Sequence, residues 1–166
     1  MKKFAVFAFA ALTLIACDNK QQASVVAEYG TAFLTKTHVK LILTDFGMRT
    51  PLGQNPNTGA YVTIENKGNA NERLISASCT CAARTELHTM SMADGQMSMA
   101  AVPEGFEIKA GETLVLAPGG NHIMLFDLTT RPTEGSTQKV TLVFDMVGEV
   151  TLDMPVSMTP AAPAEH

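Results

Sequence analysis

The chain has no tryptophan and two tyrosines, and charged residues occupy only 17% of its 166 positions. Basic residues are the scarcer sign, 12 Lys and Arg against 16 Asp and Glu, which gives a net charge of -4. A basic face for nucleic acid is therefore missing, as is a polybasic attraction to anionic lipid. Also missing are a Ser/His/Asp arrangement, a pair of catalytic carboxylates and a phosphate-binding glycine loop, so no catalysis is expected. Asp94 and Glu104 read as turn residues and Glu86 as a solvent-facing strand position. No helical periodicity, internal repeat or low-complexity tract stands out. Cysteine is sparse. Cys17 ends an apolar leader, and Cys79 and Cys81 bracket a single threonine.

What the chain does have is methionine, ten in all, four of them inside ELHTMSMADGQMSMAAV. Met90, Met92, Met97 and Met99 flank Asp94-Gly95, a strong signal for a two-residue hairpin turn. With that turn, Ala93 pairs with Gln96, Met92 with Met97, Met90 with Met99, and His88 lies opposite Ala101. Side chains alternate along a strand, so His88 and the four methionines share one face. His122 and Met124, two apart in a later strand-like run, share a face as well. Methionine ordinarily fills a core. Two imidazoles beside clustered thioethers instead suit Cu(I), whereas hard cations want oxygen ligands. The cluster is read as a metal site.

Alternating runs begin at Thr37: THVKLILTDF, GAYVTIEN, RLISA, RTELHTM, QMSMAAV, ETLVLA, HIMLFDL, QKVTLVFDMV and EVTLDMPVSM. Gly-containing turn signals separate them, which indicates an all-β sandwich or barrel of about eight to ten short strands. A chain of this length forms one domain with a real core.

The runs ELHTMSMADGQMSM and EGFEIKAGETLVLAPGGNHIM, with GAYVTIENKG upstream, resemble the periplasmic copper chaperone family known as PCuAC. Its motif is a His, then a Met, then His-x-Met. Here ten residues separate His88 from Met99, and His122-Ile123-Met124 completes the pattern. The second gap is one residue longer than in the family, an insertion that the Pro103–Gly120 connection can hold. The resemblance covers roughly Thr37 to Met154. It implies a cupredoxin-like β-sandwich binding one Cu(I) per chain through His88, Met99, His122 and Met124. It also implies delivery to the copper centre of a haem-copper oxidase subunit, with a second, thiol-bearing copper chaperone as a candidate partner.

Residues 1–16 combine Lys2-Lys3 with an apolar run too short for a comfortable membrane span, and read as a signal peptide. Leu14-Ile15-Ala16-Cys17 resembles a bacterial lipobox, which implies lipidation of Cys17 and a membrane-anchored periplasmic protein; Asp18 favours the inner membrane. Residues 17–36 read as the lipidated cysteine and a tether, 37–158 as the copper-binding sandwich, and 159–166 as a loose tail. An ordinary signal peptide with an incidental cysteine is the alternative.

Several residues fall outside the quartet. Met90, Met92 and Met97 are candidate auxiliary ligands or an apolar collar for a partner. Cys79 and Cys81 depart from the family, and three readings stay open: auxiliary soft ligands, a redox-active dithiol, or small residues without a metal role. On a strand, their backbone separation would lie near the upper limit for a disulfide. His38 reads as a polar strand position, and His166 and Met158 echo the His- and Met-containing tails of some family members. Two other functions compete with the carrier. A blue-copper electron carrier would need a Cys thiolate with two imidazoles and a weak Met, nominally Cys81, His88, Met90 and a distant His38 or His122. A metal-free envelope lipoprotein is the other.

Overall fold

The computed structural model describes residues 24–28, 31–36, 38–93 and 95–160, and among these every regular element is a strand. There are twelve: β1 (Ser24–Glu28), β2 (Thr31–Lys36), β3 (Val39–Arg49), β4 (Thr58–Asn66), β5 (Glu72–Cys79), β6 (Ala82–Ala93), β7 (Gln96–Ala101), β8 (Phe106–Ile108), β9 (Thr113–Leu116), β10 (His122–Leu128), β11 (Thr137–Phe144) and β12 (Gly148–Ser157). The nine alternating runs of the sequence are β3 to β7 and β9 to β12. Burial follows the alternation: in β12, Val150, Leu152, Met154 and Val156 point inward while their neighbours face solvent.

One sheet runs β7-β6-β10-β4-β3-β2-β1, with β9 on the far part of β4; the other runs β12-β11-β5-β8. A short parallel pairing of Met48 and Arg49 with Val156 and Ser157 joins them. The join depends on a kink in β3, where the register with β4 shifts between Thr44 and Gly47 and Asp45 has a φ of 51°. Such a bulge bends a strand; here the bend carries Met48 to β12. Between the sheets lies the apolar core, with Leu41, Leu43, Ile64, Leu74, Leu116, Ile123, Leu125, Leu142 and Phe144 essentially inaccessible. The fold is an all-β, cupredoxin-like sandwich. Two buried polar side chains pin its loops. The Glu72 carboxylate accepts from the backbone N–H groups of Arg73, Met146 and Val147, and Asn66 donates to the carbonyls of Ala70 and Ile108.

Three strands exceed the sequence reading. β8 is three residues long, too short for its alternation to register. β1 and β2 lie in the segment read as tether, so the folded body starts before Thr37. The cause is plain in β2: Thr31–Lys36 alternates, Ala32 and Leu34 are completely buried, and the strand pairs antiparallel with β3, Lys36 opposite Val39. No Gly or Asn marks the connection between β2 and β3, and without a turn signal the alternation passed for tether. The leader, Cys17 and the tail from residue 161 lie outside the described residues.

Candidate metal centre

The β6–β7 hairpin has the register expected from its turn: Ala93 with Gln96, Met92 with Met97, Met90 with Met99, His88 with Ala101. Gly95 has a φ of 76°, which a residue without Cβ adopts freely; Asp94 lies outside the described residues. On its other edge β6 pairs antiparallel with β10, which sets His122 directly opposite His88 and Met124 opposite Glu86. Directly opposed residues share a face. His88, Met99, His122 and Met124 therefore stand on one face of three adjacent strands, His88 at the centre.

The four side chains sit at different depths. His88 and His122 are only 6% and 7% exposed, with ring centroids 5.8 Å apart. Met124 is half-buried beside Gly59 of β4, while Met99 remains 46% exposed. Imidazoles form the floor, and a thioether stands at the open side.

Hydrogen bonds hold the two rings through opposite nitrogens. The Gly120 carbonyl lies 2.9 Å from Nδ1 of His122 and can only accept, so Nδ1 carries a proton, which in the neutral ring leaves the lone pair on Nε2. For His88 the pattern is reversed: Nε2 lies 2.8 Å from Oε2 of Glu86, while Nδ1 is buried without a hydrogen-bond partner among the described residues. A buried imidazole nitrogen with no partner is costly. A soft cation bound at Nδ1 would give it one.

Glu86, read as a solvent-facing strand position, keeps about a third of its side chain exposed, at 31%, and also reaches His88. Its other carboxylate oxygen pairs with Arg84, whose guanidinium lies 4.1 Å above the Phe126 ring. Phe126 in turn packs against His88, at 5.7 Å between centroids. The hydrogen bond from His88, with the bond and charge of Arg84, holds the Glu86 carboxyl below the usual range. The spacing Glu86-x-His88 puts both side chains on one face, and that was the available signal. Gly120 and Phe126 depend on contacts between strands and left none.

Cys79 and Cys81 are not near this centre. They form a disulfide at the corner where the chain leaves β5 and enters β6, thus changing sheets. The corner brings their Cα atoms to 5.1 Å, well within bridging range, which corrects the expectation based on an extended strand. Cys81 is followed by an extended run to His88 about 20 Å long at a rise of roughly 3.3 Å per residue. Neither the auxiliary-ligand reading nor a blue-copper set built on Cys81 fits that distance. His38 is exposed at the head of β3, and Met158 is exposed beyond β12. His166 lies outside the described residues. No group of three or more His, Cys, Asp and Glu that could hold a metal occurs among the described residues.

Comparison with known proteins gives the same architecture. A copper-bound PCuAC domain from PmoF2 superposes with a TM-score of 0.61 at 23% identity, covering 77% of this chain and 97% of that one. Cu(I)-loaded DR1885 from Deinococcus radiodurans matches at a TM-score of 0.59 and 26% identity, over 70% and 77% of the two chains. By sequence, a curated "Putative lipoprotein Lxx21020" of Leifsonia xyli subsp. xyli is 37% identical over 87 residues, 52% of each chain. The chain thus aligns with about half the length of that relative. Residues 41–156 match the family described as "Putative lipoprotein LpqE-like". With that match running over well over half of its residues, the chain belongs to the LpqE-like family.

Proposed function

We propose that this protein is a lipid-tethered, extracytoplasmic Cu(I) carrier, its cargo held by His88, Met99, His122 and Met124. The observation that carries the reading is the shared face: two buried imidazoles hydrogen-bonded through opposite ring nitrogens, with Met99 and Met124 on the two strands beside that of His88. The copper-bound PCuAC domains with the same sandwich support it. All four donors are neutral, so the bound ion keeps its single positive charge, and Glu86 offers nearby compensation through His88. Thioethers suit Cu(I) over harder ions. They also cannot be lost to disulfide formation outside the cytoplasm. Release follows from the depths of the ligands. Met99 is the exposed donor, so an incoming ligand of a partner displaces it first while the imidazoles still hold the ion.

The recipient we propose is the copper centre of a haem-copper oxidase, reached from a periplasmic position at the inner membrane through lipidated Cys17. The test of the carrier is anaerobic Cu(I) titration of the full chain, read by X-ray absorption. One tightly bound equivalent with mixed sulfur and nitrogen neighbours is expected. Isoleucine nearly conserves methionine's volume and favours strands, so Met99→Ile with Met124→Ile removes the sulfurs and spares the fold. Affinity in that double variant should fall roughly a hundredfold or more. Unchanged affinity would sink the assignment.

A further inference from the structure

Three methionines of the hairpin are left over once the primary ligands are assigned. Met92 stands directly opposite Met97, and Met90 opposite Met99, so two successive rungs carry only thioethers on this face. Directly opposed positions have Cβ atoms about 5 Å apart, diagonal ones about 7–8 Å. The three rotatable bonds of methionine let sulfurs at those spacings converge on one point.

These side chains are not core. Met92 is 76% and Met97 58% exposed, and every residue of β7 is exposed. Leaving long apolar side chains in water is unfavourable, so packing gives no reason for them. The two rungs place no carboxylate, imidazole or thiol on this face, so a hard or borderline divalent ion finds no charged donor there. A soft monovalent ion finds three neutral sulfurs.

Building on the carrier reading, we infer that Met90, Met92 and Met97 form a second, weaker, all-thioether site for Cu(I) or Ag(I) at the tip of the hairpin. Met99 lies between the two sites, across from Met90 and diagonal to His88. An ion moving inward exchanges a tip sulfur for Met99 and then for an imidazole, one neutral donor breaking as the next forms. The metal stays monovalent throughout, and no proton moves. The tip gathers the ion and the imidazoles retain it.

Ag(I) tests this without interference from oxidation. It is titrated into the full chain carrying 13C-labelled methionine methyl groups, followed by NMR. Two equivalents are expected, the first shifting the Met99 and Met124 methyls and the second those of Met90, Met92 and Met97. In Met92→Ile with Met97→Ile the first equivalent should persist at wild-type affinity, while the second weakens about tenfold or more. A single equivalent with unmoved tip methyls overturns the second site and leaves the carrier standing, as does an undiminished second equivalent in the double variant. Failure to bind any equivalent overturns both.

Discussion

Both ends of β6 carry sulfur, and they are opposites. At its start, Cys79 and Cys81 are buried and bonded to each other where the chain passes from one sheet to the other. At its far end the methionines are unbonded, and Met92 and Met97 lie open to solvent. Topology accounts for the contrast. The corner is enclosed by both sheets, and the Cys81 carbonyl is tied to the backbone N–H of Thr129 at the end of β10. The hairpin belongs to the sheet edge, since β7 is the last strand on that side. Sulfur at the corner is buried and bonded, and sulfur at the hairpin tip is open to solvent.

The imidazoles offer the most severe way to break this contrast, because they stand between the two ends. His88→Ala and His122→Ala each remove a buried nitrogen that no neighbouring side chain replaces. Cu(I) affinity, measured by competition with a chromophoric chelator, should fall by roughly two to three orders of magnitude in each. Wild-type affinity in His122→Ala would mean that the metal sits elsewhere.

Glu86→Gln should have an intermediate effect. The carboxylate bonds His88 and, on the proposed reading, compensates the charge of the bound ion; outer partners of this kind are typically worth about 10–100-fold in metal affinity. Glutamine keeps an acceptor but loses the charge and the ion pair with Arg84. The expected result is a loss within that range, with the number of bound sulfurs unchanged by X-ray absorption. A loss as large as that of His88→Ala would promote Glu86 from positioning group to ligand.

How much of this was legible in the sequence depends on how local each feature is. The hairpin register was fully readable, because one turn pair and strict alternation determine it within fourteen residues, His88 to Ala101. The all-β sandwich was readable for the same reason, run by run. The pairing of His88 with His122 was not, since β6 and β10 become neighbours only when the whole sheet assembles. Glu86 is partly exposed, as read, but its bond to His88 was not legible, because solvent-facing and site-facing positions alternate identically on a strand and only the contacts of its carboxylate separate them. β2 hid behind the missing turn signal, although Ala32 and Leu34 are as buried as any residue of the core.

The smallest effect on metal binding, and the sharpest test of the contrast, belongs to the cysteines. In Cys79→Ser with Cys81→Ser the bridge is lost at the corner while the hairpin face about 20 Å away is untouched. The bridge closes a loop of three residues, so on a chain-entropy account its removal costs about 2 kcal/mol at most. That corresponds to a lowering of Tm by no more than roughly 8 °C. Copper affinity should stay within about twofold of wild type, since separate sites without shared partners act independently. X-ray absorption under reducing conditions should still find sulfur around the ion, now of necessity from methionine. Thiolates in the shell would make a different protein: an added negative charge would tighten the grip on Cu(I) and oppose its transfer. If the double substitution abolishes Cu(I) binding while His122→Ala leaves it intact, the two ends of β6 exchange roles. The corner is then the metal site, and the methionine face must serve a partner instead.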